Sequence, residues 1–386
     1  MDIDEGIRTL EESPIYAMSL GSKELFHSNF WAWLMRRNPE FIKTFFPKFR
    51  SQKPSVEREE KHRDITIHTE KGSKNDKIYI IENKIKSLPT DDQLKKYSES
   101  KGFEKGILTG MQKKMPESIK ADTAENWEFL SYGEIADRIY QKIDLLEDND
   151  KIITELYCDM LKKLCAIISD KLDNSKQNEW NFDDADELES INFDDVYKKL
   201  KAEILMQEIE KQIDIKDGAM SDNFTFKVEK DFSSKNKMPL ISFKFVYGDK
   251  NRIKDIYSFG IQIEGDSFRR YAETKKGVLN KIGYDDFFEK FAECGWLSKD
   301  YQKGEDLKFT FSDGKECGYN TNMTPVKSKN KTNKNGMYNT FGDFIYQFYC
   351  IKDNLEKVES LISQINDNIQ YAKSICRDVE KIFQSF

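Results

Sequence analysis

The sequence predicts an α/β domain, with a mixed central sheet flanked by helices, followed by a C-terminal α+β domain that ends in a long helix. Before residue 172, short apolar runs typical of strands alternate with helical patterns. An acidic segment follows, and beyond it alternating strand patterns precede a heptad-like repeat. The predicted organisation is therefore a first domain at 1–172, an acidic linker at 173–192 and a second domain at 193–386.

Length and composition support two domains and exclude several classes of protein. The chain has 386 residues, and aromatic residues make up 13 %, which is enough for packed cores and excludes disorder. No run approaches the ~20 consecutive apolar residues of a membrane span, and the acidic N-terminus does not resemble a signal peptide. We therefore expect a cytoplasmic protein without membrane contact.

Cysteines and histidines are too few and too scattered for a soft-metal site. The six cysteines form no C-x-x-C pair, and the chain has three histidines. The cysteines are interpreted as buried thiols in a reducing compartment. Any bound metal is expected to be a hard cation held by carboxylates.

The first domain alternates helices and strands. The predicted helices are 22–35, 91–101, 132–143 and 150–172, and the predicted strands are 63–68, 78–81 and 106–109. Because Ile78–Ile81 is entirely apolar, it is expected to be a central strand buried on both faces.

The linker and the second domain have a different pattern. Residues 177–197 contain eight acids and no Lys or Arg, which is typical of a solvated linker. The predicted helices after it are 193–213 and 285–294, and the strands are 224–228, 241–245, 258–263 and 307–311. Four lysines between 327 and 334 predict a basic loop that either is merely solvated or contacts a phosphate backbone.

Apolar residues at 3–4 spacing from Phe341 to Phe383 predict one long helix over 341–385. Two interpretations remain open. The helix either lies on its own domain, with 193–213 as a candidate neighbour, or forms a coiled coil that makes a homodimer.

The chemically informative residues lie at the end of the buried strand. Asp64 follows Arg63 on the preceding strand, and Glu82 and Lys84 share one face because residues two apart on a strand point the same way. A hairpin between the two strands would place Asp64 beside Glu82. Since buried carboxylates need compensation, a bridging divalent cation such as Mg²⁺ is expected there. It would activate a water for attack on a phosphate, with Lys84 orienting or deprotonating that water or stabilising the developing charge.

An acidic residue and a lysine two apart also occur by chance on solvated strands, so this spacing alone does not establish a site. Four segments in order are more specific: ELFHSNFWAWL (Glu24–Leu34), RDITI (Arg63–Ile67), IIENKI (Ile80–Ile85) and QLKKY (Gln93–Tyr97). Together they resemble the PD-(D/E)XK nuclease superfamily, and most closely its bacterial and phage members. The resemblance covers roughly residues 20 to 100, with a weaker part at Phe129–Tyr132.

The resemblance implies a restriction-endonuclease-like core and assigns roles by position. Asp64 and Glu82 match the metal-binding carboxylates, Lys84 the catalytic lysine, and Glu24 the acid that often completes the metal shell. Gln93 matches the glutamine that can touch metal-bound water or the phosphate. Arg63 departs from the proline of the motif name, at a position that varies widely. Upstream acids, Glu57, Glu59 and Glu60, are alternatives to Glu24.

The function implied by the resemblance is Mg²⁺-dependent (or Mn²⁺-dependent) hydrolysis of phosphodiester bonds in nucleic acid, with DNA as the expected substrate and phage defence or DNA processing as the context. Two alternatives remain: a nuclease that acts on RNA, and a catalytically silent nuclease fold that serves as a binding or scaffold module. The net charge of −7 does not exclude a nucleic-acid partner, because the acidity is concentrated in 151–200.

Overall fold

The chain folds into two compact units. The computed structural model describes residues 3–20, 23–85, 90–116, 119–174, 179–214, 218–219, 223–232, 238–249, 253–265, 267–277, 283–297, 308–310, 314, 316–318, 339–341, 343–351 and 357–384. Unit 1 is formed by Met1–Gln177 and Asp183–Lys201, and unit 2 by Asn178–Phe182 and Ala202–Phe386.

Unit 1 contains a mixed sheet and helices. Its strands are β1 (Ser55–Arg58), β2 (Ile65–His68), β3 (Ile78–Asn83), β4 (Phe103–Gly110) and β5 (Trp127–Ser131). Its helices are α1 (Ile3–Glu11), α2 (Pro14–Ser19), α3 (Lys23–Arg37), α4 (Ile42–Phe45), α5 (Asp91–Ser98), α6 (Ala121–Ala124), α7 (Tyr132–Tyr140) and α8 (Asp148–Asn174), and α9 (Asp194–Gln212) begins in unit 1 and ends in unit 2.

The strands lie in the order β1-β2-β3-β4-β5. β2 pairs antiparallel with β1 and β3, whereas β4 pairs in parallel with β3 and β5. Neighbouring residues on β3 belong to two different cores: Ile81 packs with α3, α7 and α8, and Ile80 packs with Leu94 of α5 and Trp127. Both faces of β3 are thus covered, which is why its sequence is apolar without alternation. The predicted mixed sheet flanked by helices is confirmed.

The structure differs from the predicted acidic linker over residues 183–192. Leu188 and Ile191 are buried in the unit 1 core. Asp184 accepts hydrogen bonds from the Tyr197 hydroxyl (2.6 Å) and the Lys201 ammonium (2.9 Å), so acidic charge in this segment is compensated locally. Unit 1 therefore extends to Lys201, beyond the predicted boundary at 172. Residues 193–201, the predicted start of the second domain at 193–386, belong to unit 1, whereas Asn178–Phe182 of the predicted linker belong to unit 2.

Unit 2 is built on an antiparallel sheet. Its described strands are β6 (Gly218–Ala219), β7 (Phe224–Phe232), β8 (Pro239–Asp249), β9 (Ile253–Glu264), β10 (Ser267–Lys275), β11 (Lys308–Thr310), β12 (Glu316–Gly318), β13 (Asn339–Phe341) and β14 (Phe344–Ile351). They lie in the order β11-β12-β14-β10-β9-β8-β7-β6, with β13 also paired to β14. The helices α10 (Tyr284–Glu293) and α11 (Val358–Gln384) share the unit 2 core with one face of the sheet.

The prediction of a single helix over 341–385 is wrong for its first part. Phe344–Ile351 is strand β14, and the helix begins at Val358. Large aromatic and β-branched residues favour a strand here, and β14 pairs with β10 along its whole length. The remaining helix, α11, is about 40 Å long at 1.5 Å per residue.

The apolar stripe of α11 lies within its own unit, which is the first of the two interpretations. Leu361, Ile365 and Ile369 are fully buried in the unit 2 core. Asn366 of α11 also accepts a hydrogen bond from the Asp214 backbone N–H (3.0 Å), which follows α9. The described part of this stripe is therefore not available as a dimer seam.

Two parts of the predictions lie outside the described residues. These are the basic loop with lysines at 327, 329, 331 and 334, and the first residue, Ser22, of the predicted helix 22–35. Among the helices that the structure describes, none combines the length and hydropathy needed to cross a membrane.

Candidate active site

The antiparallel pairing of β2 and β3 assembles the carboxylates. Ile65 lies opposite Ile81, so Asp64 and Glu82, one step further, are neighbours on adjacent strands. Lys84 follows directly after β3, and its backbone N–H donates to the Thr109 carbonyl of β4 (3.2 Å). The predicted hairpin of these two strands is thus present.

Glu82 is the most deeply buried of the predicted site residues, with 2 % of its surface exposed. Its Oε1 accepts hydrogen bonds from the Lys84 ammonium and from Gln93 Nε2, each at 2.8 Å. Its Oε2 is buried and has no hydrogen-bond partner among the described residues. Burial raises the pKa of Glu82 to about 7, and the nearby charge of Asp64 acts in the same direction.

Asp64 is held by the backbone of β3. Its Oδ2 accepts a hydrogen bond from the Asn83 N–H at 2.7 Å. Burial raises the pKa of the Asp64 carboxyl, while this hydrogen bond and the Lys84 charge lower it in part. On the other side, the Arg58 guanidinium donates to the Asp64 carbonyl. The Asn83 N–H therefore fixes the position of one Asp64 carboxylate oxygen, and with it the direction of the Asp64 side chain.

Glu24 reaches the same region from the first turn of α3. Its Oε1 accepts a hydrogen bond from the Ile85 N–H at 3.1 Å. Its charge raises the pKa of both Asp64 and Glu82. The three carboxylates are thus close enough to repel one another, and a cation would relieve that repulsion.

Lys84 supplies the positive charge of the site. Its side chain is 14 % exposed, and its ammonium lies 2.8 Å from Glu82 Oε1. Burial lowers the pKa of Lys84, but the charges of Glu82, Glu24 and Asp64 outweigh burial, and the pKa lies above its usual value. Lys84 is therefore a cation that donates hydrogen bonds.

Gln93 is positioned by the start of α5. Thr90 caps this helix by accepting from the Gln93 N–H. The Gln93 side-chain amide donates to Glu82 and to the Tyr97 hydroxyl (3.0 Å), and that hydroxyl donates to the His62 carbonyl (2.6 Å). Tyr97 thereby links α5 to the loop before Asp64.

Asn83, which is not among the predicted site residues, connects the elements around the carboxylates. This side chain is 1 % exposed and uses its full hydrogen-bonding capacity. Its Nδ2 donates to the Glu24 carbonyl (2.7 Å) and to Ser28 Oγ (2.9 Å). Its Oδ1 accepts from Thr109 Oγ1 (3.0 Å) and from the Tyr132 hydroxyl. The signal was a polar residue ending an apolar strand, with its side chain on the face opposite to Glu82.

The other acids and histidines make separate contacts. Glu57 pairs with Lys71, and Glu60 pairs with His68 Nε2 (2.9 Å). Glu59 is exposed and contacts Arg58. His27 is buried, and its Nδ1 lies 2.9 Å from the Tyr157 hydroxyl. Of the acids weighed, Glu24 is the one whose charge acts on both Asp64 and Glu82.

The donor set fits a hard divalent cation. Within the described ranges, no three His, Cys, Asp or Glu side chains already form a closed cluster of metal ligands. Mg²⁺, however, is typically bound through one or two carboxylates and keeps several waters or phosphate oxygens. The unpartnered Oε2 of Glu82, beside Asp64, supplies an acceptor of this kind in a buried position.

Part of the chain matches the model of a known protein family. Residues 15–179 match the family model of the PD-(D/E)XK nuclease superfamily, a range that includes Glu24, Asp64, Glu82, Lys84 and Gln93. No curated protein and no solved structure matches the chain significantly.

Proposed function

Because residues 15–179 of this chain match the family model of the PD-(D/E)XK nuclease superfamily, we propose that the protein hydrolyses phosphodiester bonds of nucleic acid. The observation that carries the proposal is the buried Glu82 carboxylate: one oxygen is shared by Lys84 and Gln93, and the other has no hydrogen-bond partner in the part of the chain that the structure describes. Members of the superfamily generally use divalent metals, and Mg²⁺, or Mn²⁺ in its place, is the proposed cofactor.

Asp64 and Glu82 would hold the metal, and Glu24 would complete its shell. When bound, a divalent cation lowers the pKa of water and offsets negative charge on the phosphate. Two backbone N–H groups already orient carboxylates for the cation: that of Asn83 orients Asp64, and that of Ile85 orients Glu24. Because Asp64 and Glu24 are already oriented, binding of the metal would cost little further side-chain entropy at these two residues.

Lys84 and Gln93 would arrange the attacking water. Both are donors within 2.8 Å of Glu82 Oε1, so they lie at the carboxylate that would hold the metal. As an ammonium with a raised pKa, Lys84 suits stabilisation of charge on the phosphate better than removal of a proton. Gln93 is neutral and would orient a water without changing the charge of the site.

We propose DNA as the substrate and defence against foreign DNA or DNA processing as the cellular role. Unit 2 would then supply substrate selection or partner contact. A homodimer through α11 is not part of the proposal, since its described apolar stripe is buried within unit 2.

A cleavage assay tests the catalytic assignment. Plasmid, linear DNA and RNA are incubated with the full chain in Mg²⁺, Mn²⁺ or EDTA. We expect metal-dependent cleavage, with DNA cut in preference to RNA, and a loss of at least about 100-fold for Asp64→Ala and Lys84→Ala. Asp144→Ala and Lys113→Ala, at exposed positions, are the matched controls and should cut like the unmodified protein.

Three results would count against the proposal. Absence of cleavage with either metal would indicate the catalytically silent alternative. Equal cleavage by Asp64→Ala would remove the assigned metal site. Preference for RNA would overturn the choice of substrate but leave the hydrolysis.

A further inference from the structure

The sheet of unit 2 has two chemically different faces. On β8, Ile241, Phe243 and Phe245 are fully buried in the core shared with the helices. The alternate residues of β8, including Ser242 and Lys244, point to the opposite face. An antiparallel sheet with one covered face normally exposes the polar residues of the other to water.

This second face departs from that expectation because it carries a partly open pocket, here called the cavity. The cavity has a volume of about 420 Å³ and is lined by residues of β7, β8, β9, β10 and β14. Several of its polar lining residues are buried: Ser242 is 5 % exposed, Ser258 6 % and Tyr271 4 %. The volume lies within the roughly 300–1,000 Å³ of small-molecule sites.

A network of charged and hydroxyl groups forms part of the lining of the cavity. Ser258 Oγ donates to Glu273 Oε1 at 2.5 Å. The Lys244 ammonium, only 15 % exposed in its side chain, pairs with Glu229 and lies 3.8 Å from Glu273. The two carboxylates thus lie on either side of one partly buried ammonium.

Further positive charge and an aromatic ring complete the lining. Lys227 on β7 and Lys275 on β10 bring the lysines to three against two glutamates. The Lys275 ammonium lies 5.9 Å from the centre of the Phe344 ring, which also lines the cavity. The lining therefore offers cations, hydrogen-bond donors and acceptors, and aromatic surface within one space.

We propose that this cavity binds a nucleotide, with lysines engaging its phosphate and the Ser242, Ser258 and Glu273 side chains hydrogen-bonding its base. The nucleotide is either a free mononucleotide or one unit of a nucleic-acid strand. The choice of a nucleotide among anionic ligands rests on the proposed nuclease function.

Other ligand classes fit less well. A simple anion would be opposed by Glu229 and Glu273, and a cation would meet carboxylates that already pair with Lys244. An apolar ligand would displace water from the charged groups of Lys244, Glu229 and Glu273 without offering them a polar partner. A molecule with both a negative group and a hydrogen-bonding edge offers partners to the lysines and to the Ser242, Ser258 and Glu273 side chains.

Isothermal titration of the full chain in EDTA tests the proposal, because EDTA separates binding from cleavage. The probes are nucleoside monophosphates, nucleosides, inorganic phosphate and short single-stranded oligonucleotides. We expect Glu273→Gln, Lys244→Met and Ser258→Ala each to weaken nucleotide binding about tenfold or more. Lys290→Met, which removes an ammonium paired with Glu293 on α10, is the control.

Each result of the titration either supports or overturns the proposed nucleotide site. Binding of monophosphates that the cavity variants weaken supports a free nucleotide, and binding of oligonucleotides alone with the same loss supports a unit of a strand. Phosphate bound as tightly as nucleotides, no binding at all, or cavity variants that bind like Lys290→Met would overturn the proposal.

Unchanged melting temperatures show that the variants fold, and Ser258→Ala is the mildest of them. Nucleotide binding without any cleavage would refute the proposed nuclease function and support this binding site. Cleavage without nucleotide binding at the cavity would support the nuclease function and refute this site.

Discussion

Asn83 shows how one buried side chain can hold a site together. Its side chain hydrogen-bonds the Glu24 carbonyl and the hydroxyls of Ser28, Thr109 and Tyr132, and its own N–H orients Asp64. These partners belong to α3, β4, α7 and the residue before β2. A fully satisfied buried amide of this kind fixes the relative positions of the elements that carry the carboxylates.

Replacing Asn83 should therefore destabilise unit 1. Asn83→Ala leaves several buried donors and acceptors without a partner, and we expect a loss of about 2–4 kcal/mol. Thermal unfolding of the full chain, followed by calorimetry, measures it. Asn75→Ala, in an exposed turn, should change stability by less than about 0.5 kcal/mol. Equal melting of the two variants would refute the role of Asn83.

A buried carboxyl in unit 2 predicts a pH dependence of stability. Burial raises the pKa of Glu203, on α9, to about 7, and the charge of Lys230 offsets this only in part. Between pH 4.5 and 7 the unfolded chain releases this proton while the folded chain keeps it, so stability falls as pH rises. The whole effect is about 3 kcal/mol.

Glu203→Gln should remove this dependence. Its melting temperature relative to the unmodified protein should be higher at pH 8 than at pH 5, since the unfavourable ionisation is absent. Glu208→Gln, exposed on the same helix, should show the same small difference at both pH values. A Glu203→Gln effect that does not change with pH would show that burial does not control this group.

At the scale of elements, the strands of unit 1 were predictable where burial is two-sided. β3 has an unbroken apolar run, and its pairing with β2 followed from the short polar connection between them. β14 was not predictable from periodicity, since Phe344, Phe348 and Ile351 also fit a helical stripe. Its conformation is decided by pairing with β10, a contact between residues about 75 positions apart.

Two glycines give a matched test of how elements pack. A Cβ at Gly106 on β4 would lie 2.4 Å from the Trp127 ring, whereas one at Gly133 on α7 would have its nearest neighbour, Cys165, at 4.0 Å. We expect Gly106→Ala to destabilise by about 1–3 kcal/mol through overpacking. Gly133→Ala should stabilise by up to about 1 kcal/mol, because alanine favours the helix. Urea denaturation monitored by circular dichroism compares them, and destabilisation of similar size by both would contradict the prediction.

For the whole molecule, the boundary of unit 1 has a practical consequence. Residues 183–201 place Leu188, Ile191 and Tyr197 in the unit 1 core, and the Tyr16 hydroxyl donates to the Ile191 carbonyl. We expect a chain ending at Lys201 to melt at a higher temperature and to be more soluble than one ending at Leu172. The shorter chain exposes the core surface that this segment covers. Equal melting of the two truncated chains would show that the segment contributes nothing to unit 1.

The sequence by itself determined the mixed sheet of unit 1 and the order of Asp64, Glu82 and Lys84 along it. Strand periodicity and a short connection are local properties, and they suffice to bring these residues to neighbouring strands. Only the tertiary structure decided the extent of unit 1, the conformation of 344–351 and the Asn83 network. Each depends on contacts between residues distant in the chain, and burial against a partner overrides local charge or periodicity.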